Sequence, residues 1–159
     1  MANTPDILEH QDLDIKNLLS IRYQGPQDGA QAHLAKAATF AKDNNLKLRG
    51  VPISANYGLH PETKEVAMEV YYPIDRAFTS DDPDISYKPR LYLHNCLRIT
   101  HVGDPAKLQE THTFLNKYIQ DNKLAPISVG FSVSSMDGNP QDLDNFEMDI
   151  YISISPNIV

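Results

Sequence analysis

Shifted by 78 residues, the sequence aligns with itself without a gap over roughly thirty-five positions. Leu19 falls on Leu97, Ile21 on Ile99, Gly25 on Gly103, Asn44 on Asn122, Leu46 on Leu124, Val51 on Val129 and Ser54 on Ser132. Past a later loop the offset becomes 80. Met68 then falls on Met148, Glu69 on Asp149, Tyr71 on Tyr151 and Ile74 on Ile154. Agreement in apolar pattern, turn residues and strand register together points to two copies of one local fold. The period is too long, and the copies too few, for a solenoid.

Each copy reads as strand, helix, strand, strand. Residues 1–13 are polar and read as a lead-in. From about Asp14 to Tyr23, Leu19 and Ile21 alternate with Ser20 and Arg22, as in a strand. Gln24-Gly25-Pro26 breaks the run. Ala30, Leu34, Ala37, Ala38 and Ala41 then recur at helical spacing, which predicts a helix over 28–44. Residues 50–57 alternate, with Val51 and Ile53 in register. Residues 58–64 form a turn, and Val66 to Pro73 a strand. A polar connector follows over 75–88. In the second copy, residues 90–101 alternate. Asp104 followed by Pro105 is a helix start, because Asp accepts orphan amide hydrogens and Pro has none to lose. The helix runs to about Asp121. Strands at 127–134 and 146–154 follow, separated by a loop over 136–143.

The last strand shows what the pattern is for. Phe146, Met148, Ile150, Ile152 and Ile154 share one face; Glu147, Asp149, Tyr151 and Ser153 share the other. The first copy repeats this with Met68, Val70 and Tyr72 against Glu69 and Tyr71. The expected architecture is α+β: tandem β-α-β-β units (14–74 and 89–155, joined by 75–88) within a single domain over 1–159. They form one curved antiparallel sheet with both helices on one face. The other face carries Glu69, Tyr71, Glu147, Asp149 and Tyr151, with Arg22 and Arg98 from the first strands. Gly130, Ser132 and Ser134 are expected to leave that face small in the second copy, so that a groove forms between the repeats.

Composition narrows the partners. The formal net charge is −7 with no basic cluster, which disfavours nucleic acid and anionic membranes, since both are bound through Lys and Arg. The single cysteine, Cys96, rules out an internal disulfide and suits a reducing compartment. No signal peptide or membrane-length apolar run is visible, so the expected location is the cytoplasm. The six histidines show no metal-ligand spacing. No phosphate-binding or nucleophile-elbow motif occurs. No metal or cofactor is therefore expected. Cys96 reads as a half-buried structural thiol, and Asp81 to Asp84 as a solvated crossover.

On these residues the chain resembles the GyrI-like small-molecule-binding domain. That domain is also the effector-binding part of some AraC-type and MerR-type multidrug regulators. The resemblance spans residues 14–155. It is carried by the duplicated layout, the His101-Val102-Gly103-Asp104-Pro105 turn, and the strands Met68–Ile74 and Met148–Ile154. It implies that an acidic residue on the groove face meets cationic, aromatic compounds; Glu69 and Asp149 match that position. Two residues depart from the pattern. Asp149 stands where the family usually has glutamate, and Ser153 where proline is usual; Pro73 keeps that proline in the first copy. The regulators' helix-turn-helix has no room here, so a stand-alone member is implied.

Three functions then compete. The first is binding of a cationic or amphipathic aromatic molecule. Glu69 and Asp149 would supply charge, Tyr71 and Tyr151 stacking surface, and Glu147 and Arg98 the rim. The second is hydrolysis of a reactive cyclopropane-type compound by a groove carboxylate and a tyrosine, as the resemblance also implies. The third is a protein-binding role of the gyrase-inhibitor kind. Against all three, Glu69 with Arg22 and Asp149 with Arg98 also read as ordinary cross-strand ion pairs on a solvated face.

Overall fold

The computed structural model describes residues 6–134 and 146–155. The elements are β1 (Ile7–Pro26), α1 (Ala30–Asp43), β2 (Ile53–Leu59), β3 (Glu65–Pro73), β4 (Ile85–Val102), α2 (Leu108–Asp121), β5 (Phe131–Ser134) and β6 (Glu147–Ser153), with a short 3-10 turn before each helix. The class is α+β, with six strands and two helices. The chain divides into two compact units, residues 14–92 and a second made of residues up to 13 with residue 93 onward. The boundaries fall inside β1 and β4.

In residues 14–92, β3 lies between β1 and β2, antiparallel to both. Leu19, Ile21 and Val70 meet Ala37 and Ala41 of α1, with Leu46, Ile74 and Ile85 closing the core. The helix is thus held by a narrow alanine stripe that lets it approach the sheet. Phe78 packs its ring against Phe40 (5.2 Å) and Tyr87 (5.7 Å). In the other unit, β6 lies between β4 and β5, again antiparallel to both. Leu97, Ile99 and Ile150 meet Leu115 and Ile119 of α2, with Ile154 beside them. The Asp104 carboxylate accepts the Ala106 amide (2.9 Å) and so caps the 3-10 turn over 105–107, not α2 itself, which starts at Leu108 behind Lys107 with no side-chain cap bond.

The two units share one register. Leu18 opposes Pro73, and Cys96 opposes Ser153; Ile53 opposes Tyr71, and Phe131 opposes Tyr151. These pairs differ by the offsets of 78 and 80 found in the sequence. Leu48 bridges Ile74 as Pro126 bridges Ile154. Left-handed residues also coincide: Asn17 with Asn95, and Asn45 with Lys123. The Ser153 departure is matched by a second change. Its amide, which Pro73 lacks, donates to Ser128 Oγ at 2.9 Å, and Ser128 stands where the first unit has Gly50.

Several expectations are corrected. The polar lead-in is strand from Ile7, because Ile7 packs against the Leu97–Ile150 core and His10 bonds Asn95 (2.9 Å). β4 begins at Ile85, inside the expected connector. The acidic crossover is tied down: Lys36 of α1 lies 3.2 Å from Asp82, and His33 lies 3.5 Å from Asp84. β5 begins only at Phe131. Cys96 is fully buried, not half-buried. The loop expected at 136–143 lies outside the described residues.

Candidate functional site

Cross-strand register decides which side chains share a face, since directly opposed residues point the same way. In residues 14–92, Arg22 and Ala55 flank Glu69, and Ser20 and Ile53 flank Tyr71. Glu69 is 8% exposed and Tyr71 is buried; Ile53 and Ala55 have no exposure at all. The solvated face of the ion-pair alternative is thus a desolvated one. Val51 and Ile53 read as a run without a partner in the sequence, and only the β2–β3 register puts Ile53 beside Tyr71 and Ala55 beside the carboxylate.

Glu69 is held by neutral donors. Ser20 donates a short hydrogen bond to Oε1. Tyr57 donates to Oε2 over 3.5 Å, and its hydroxyl lies 3.4 Å from that of Tyr71. The counter-ion is loose: Arg22 Nε is 3.7 Å from Oε1, and its side chain is 72% exposed. Burial, the bond to Tyr57 and the charge of Glu69 push the Tyr71 phenol well above its usual range. Tyr71 therefore stays a neutral donor and aromatic face at ordinary pH. One cation already uses that face: Lys88 Nζ lies 5.7 Å from the ring centre.

The other unit has the same layout with different chemistry. Thr100 and Val133 flank Asp149; Arg98 and Phe131 flank Tyr151. Thr100 donates to Asp149 Oδ1 at 2.6 Å, and Arg98 Nη2 donates to Oδ2 at 3.2 Å. The Arg98 guanidinium lies 5.9 Å from the Tyr151 ring centre. Its Nε is fully buried and has no hydrogen-bond partner among the described residues. Burial chiefly raises the Tyr151 phenol, with Arg98 pulling the other way. The expected small face is corrected here. Ser132 opposes Ile150, in line with the core positions, so Phe131 and Val133 occupy the acidic side.

Of the six residues expected to bind, the structure groups Glu69 with Tyr71, and Asp149 with Arg98 and Tyr151. Glu147 stands exposed at the start of β6, opposite Val102. Sequence reasoning missed Ser20, Tyr57, Thr100 and Lys88. Ser20 and Thr100 were legible as face-mates of Arg22 and Arg98. Tyr57 was not, because the register shifts between Asn56 and Gly58. Among the described residues, no group of three or more His, Cys, Asp or Glu side chains is placed to hold a metal. None of the described helices is long and apolar enough to cross a membrane.

No family model and no curated protein matches the sequence. Solved structures do. The C-terminal domain of EcmrR aligns with a TM-score of 0.71 over 98% of this chain and 99% of that one, at 15% identity. EcmrR in a DNA complex aligns equally well (0.71, 13% identity), with 96% of this chain spanning 57% of that one. A hydrolase from Listeria innocua aligns at 0.60, with 12% identity, over 95% of this chain and 91% of that one. The fold is that of the EcmrR C-terminal domain, as expected of a GyrI-like domain. A further neighbour, SAV2435, was solved bound to tetraphenylphosphonium (TM-score 0.51, 12% identity, 97% of this chain and 95% of that one). At these identities the likeness carries the GyrI-like fold and leaves residue roles to the geometry above.

Proposed function

We propose that this protein binds small cationic aromatic molecules at the Glu69 cluster of residues 14–92. The observation that carries this is the state of Glu69. It is a carboxylate almost removed from water, held by Ser20 and Tyr57, lined by Ile53 and Ala55, and served only by an arginine that is mostly in solvent. A buried charge whose close partners are neutral donors gains more from a new counter-ion than a solvated one does. An organic cation brings that charge with little hydration of its own to lose. Tyr71 adds an aromatic face, worth about 0.5–2 kcal/mol to a stacked cation; Lys88 already samples that contact. The tetraphenylphosphonium complex of SAV2435 supports the same class of ligand.

Calorimetric titration with tetraphenylphosphonium, a neutral tetraphenyl analogue and a tetraphenyl anion tests this. Cation-selective binding that drops in Glu69→Gln supports the reading. Equal affinity for all three compounds, or no loss in the mutant, overturns it.

A second reading has its own support. Glu69 and two tyrosine hydroxyls form one hydrogen-bonded group, which is what a general acid–base step on a strained electrophile needs. Turnover of a cyclopropane-type alkylating compound, lost in Glu69→Gln, would favour hydrolysis over binding alone.

A further inference from the structure

We infer that Arg98 silences Asp149 as a cation-binding carboxylate, so that the residue at the shared Ser20/Arg98 position decides which acidic cluster accepts a cation. The inference rests on the reading of Glu69 above and extends it to specificity.

The two clusters are register-equivalent with their donors exchanged. Ser20 opposes Tyr71 as Arg98 opposes Tyr151, and Arg22 opposes Glu69 as Thr100 opposes Asp149. From the first strand of its unit each carboxylate thus meets one hydroxyl and one arginine, but in opposite places. At the inner position, Ser20 gives Glu69 a hydrogen bond and no charge. Arg98 gives Asp149 a hydrogen bond and a full positive charge at 3.2 Å. The arginines differ in freedom as well. Arg22 is 72% exposed and 3.7 Å away, so an incoming cation can displace it into water at small cost. Arg98 is 34% exposed, and its Nε is wholly desolvated. Separating it from Asp149 would leave a partly buried charge without its counter-ion. Thr100, at the outer position, takes up Oδ1 at 2.6 Å as well. A cation arriving at Asp149 therefore meets an acid already neutralised by a guanidinium that cannot readily leave.

The test is a set of calorimetric titrations with tetraphenylphosphonium chloride, on variants shown by circular dichroism to be folded. Glu69→Gln is expected to weaken binding about tenfold or more, the scale of one lost charge contact. Adding Arg98→Gln, which keeps most of the volume and a donor for Asp149, is expected to restore about tenfold. Adding Asp149→Asn to that pair should remove the gain. Should Arg98→Gln not fold, Arg98→Ser reproduces the first unit's own residue and takes its place. A Glu69→Gln/Arg98→Gln protein no tighter than Glu69→Gln overturns the inference, as does a gain that survives Asp149→Asn. Wild type that ignores the probe at millimolar concentration overturns the reading of Glu69 alone. In that case Arg98→Gln by itself still decides: binding gained and then lost with Asp149→Asn supports the inference, and no gain overturns it.

Discussion

Ser20 donates its hydroxyl hydrogen to Glu69 diagonally across the β1–β3 ladder, although its direct cross-strand partner is Tyr71. Both residues are buried, so the bond forms where water cannot replace it. Ser20→Ala should therefore cost about 1–3 kcal/mol, the desolvation of an acceptor left short of a donor. Ser20→Thr keeps the hydroxyl and should cost less if its methyl group fits. Urea unfolding followed by circular dichroism measures the difference. Equal stability of Ser20→Ala and wild type would mean that Tyr57 and Arg22 satisfy the carboxylate without Ser20.

Lys88 occupies the aromatic face that a ligand cation would use. Its ammonium lies 5.7 Å from the Tyr71 ring centre, so it competes with the ligand and repels it. Lys88→Met keeps the length of the side chain and removes the charge. It should tighten tetraphenylphosphonium about two- to fivefold, the scale of one cation–π contact of about 0.5–1 kcal/mol, and leave the neutral analogue unchanged. Weaker binding of the cation by Lys88→Met would place the ligand away from Tyr71.

The repeat, the helices and the polar strand faces were legible because each depends on spacing along the chain. Leu19, Ile21 and Val70 declare one face of a sheet by alternation alone. What alternation cannot show is which side of β2 or β5 meets that face. Ile53 and Phe131 lie beside Tyr71 and Tyr151 through pairing with a distant strand, and Tyr57 follows a register shift. The sequence thus revealed the carboxylates but not their surroundings. The alternative of a solvated ion pair fails at Glu69, because buried Ile53 and Ala55 share its face. Arg22 and Arg98 were read alike, although the offset of 78 already sets Arg98 on Ser20 and Thr100 on Arg22, as the ladders also do.

Cys96 has no solvent exposure, and burial chiefly pushes its thiol up to about 11. The sign for stability follows from linkage. The folded value lies above the ordinary thiol value of 9.0, so this contribution is fully present below about pH 9. It is lost as pH rises toward 11, where the unfolded chain releases the proton and the folded chain resists. Stability should fall across that window more steeply in wild type than in Cys96→Ala, once the substitution's own pH-independent cost is subtracted. Iodoacetamide at pH 8 should label native Cys96 far more slowly than the urea-unfolded chain, since only the thiolate reacts. Labelling at the unfolded rate would mean that the thiol is open to solvent in the folded protein.

Gly103 ends β4 with φ +108, a backbone region costly for any residue with a Cβ. A Cβ added there would touch nothing within 4 Å, so strain is the whole penalty of a side chain. Gly103→Ala should therefore destabilise the protein by about 1–2 kcal/mol through the backbone alone. Gly50 supplies the control. Its backbone lies outside that region, and an added Cβ would meet Pro73 Cγ at an ordinary 3.6 Å. Gly50→Ala should be neutral or mildly stabilising, because it narrows the unfolded ensemble. The two urea midpoints should move apart. If both shifted down equally, the cost would lie in the loss of glycine itself and not in the conformation that the Gly103 turn requires.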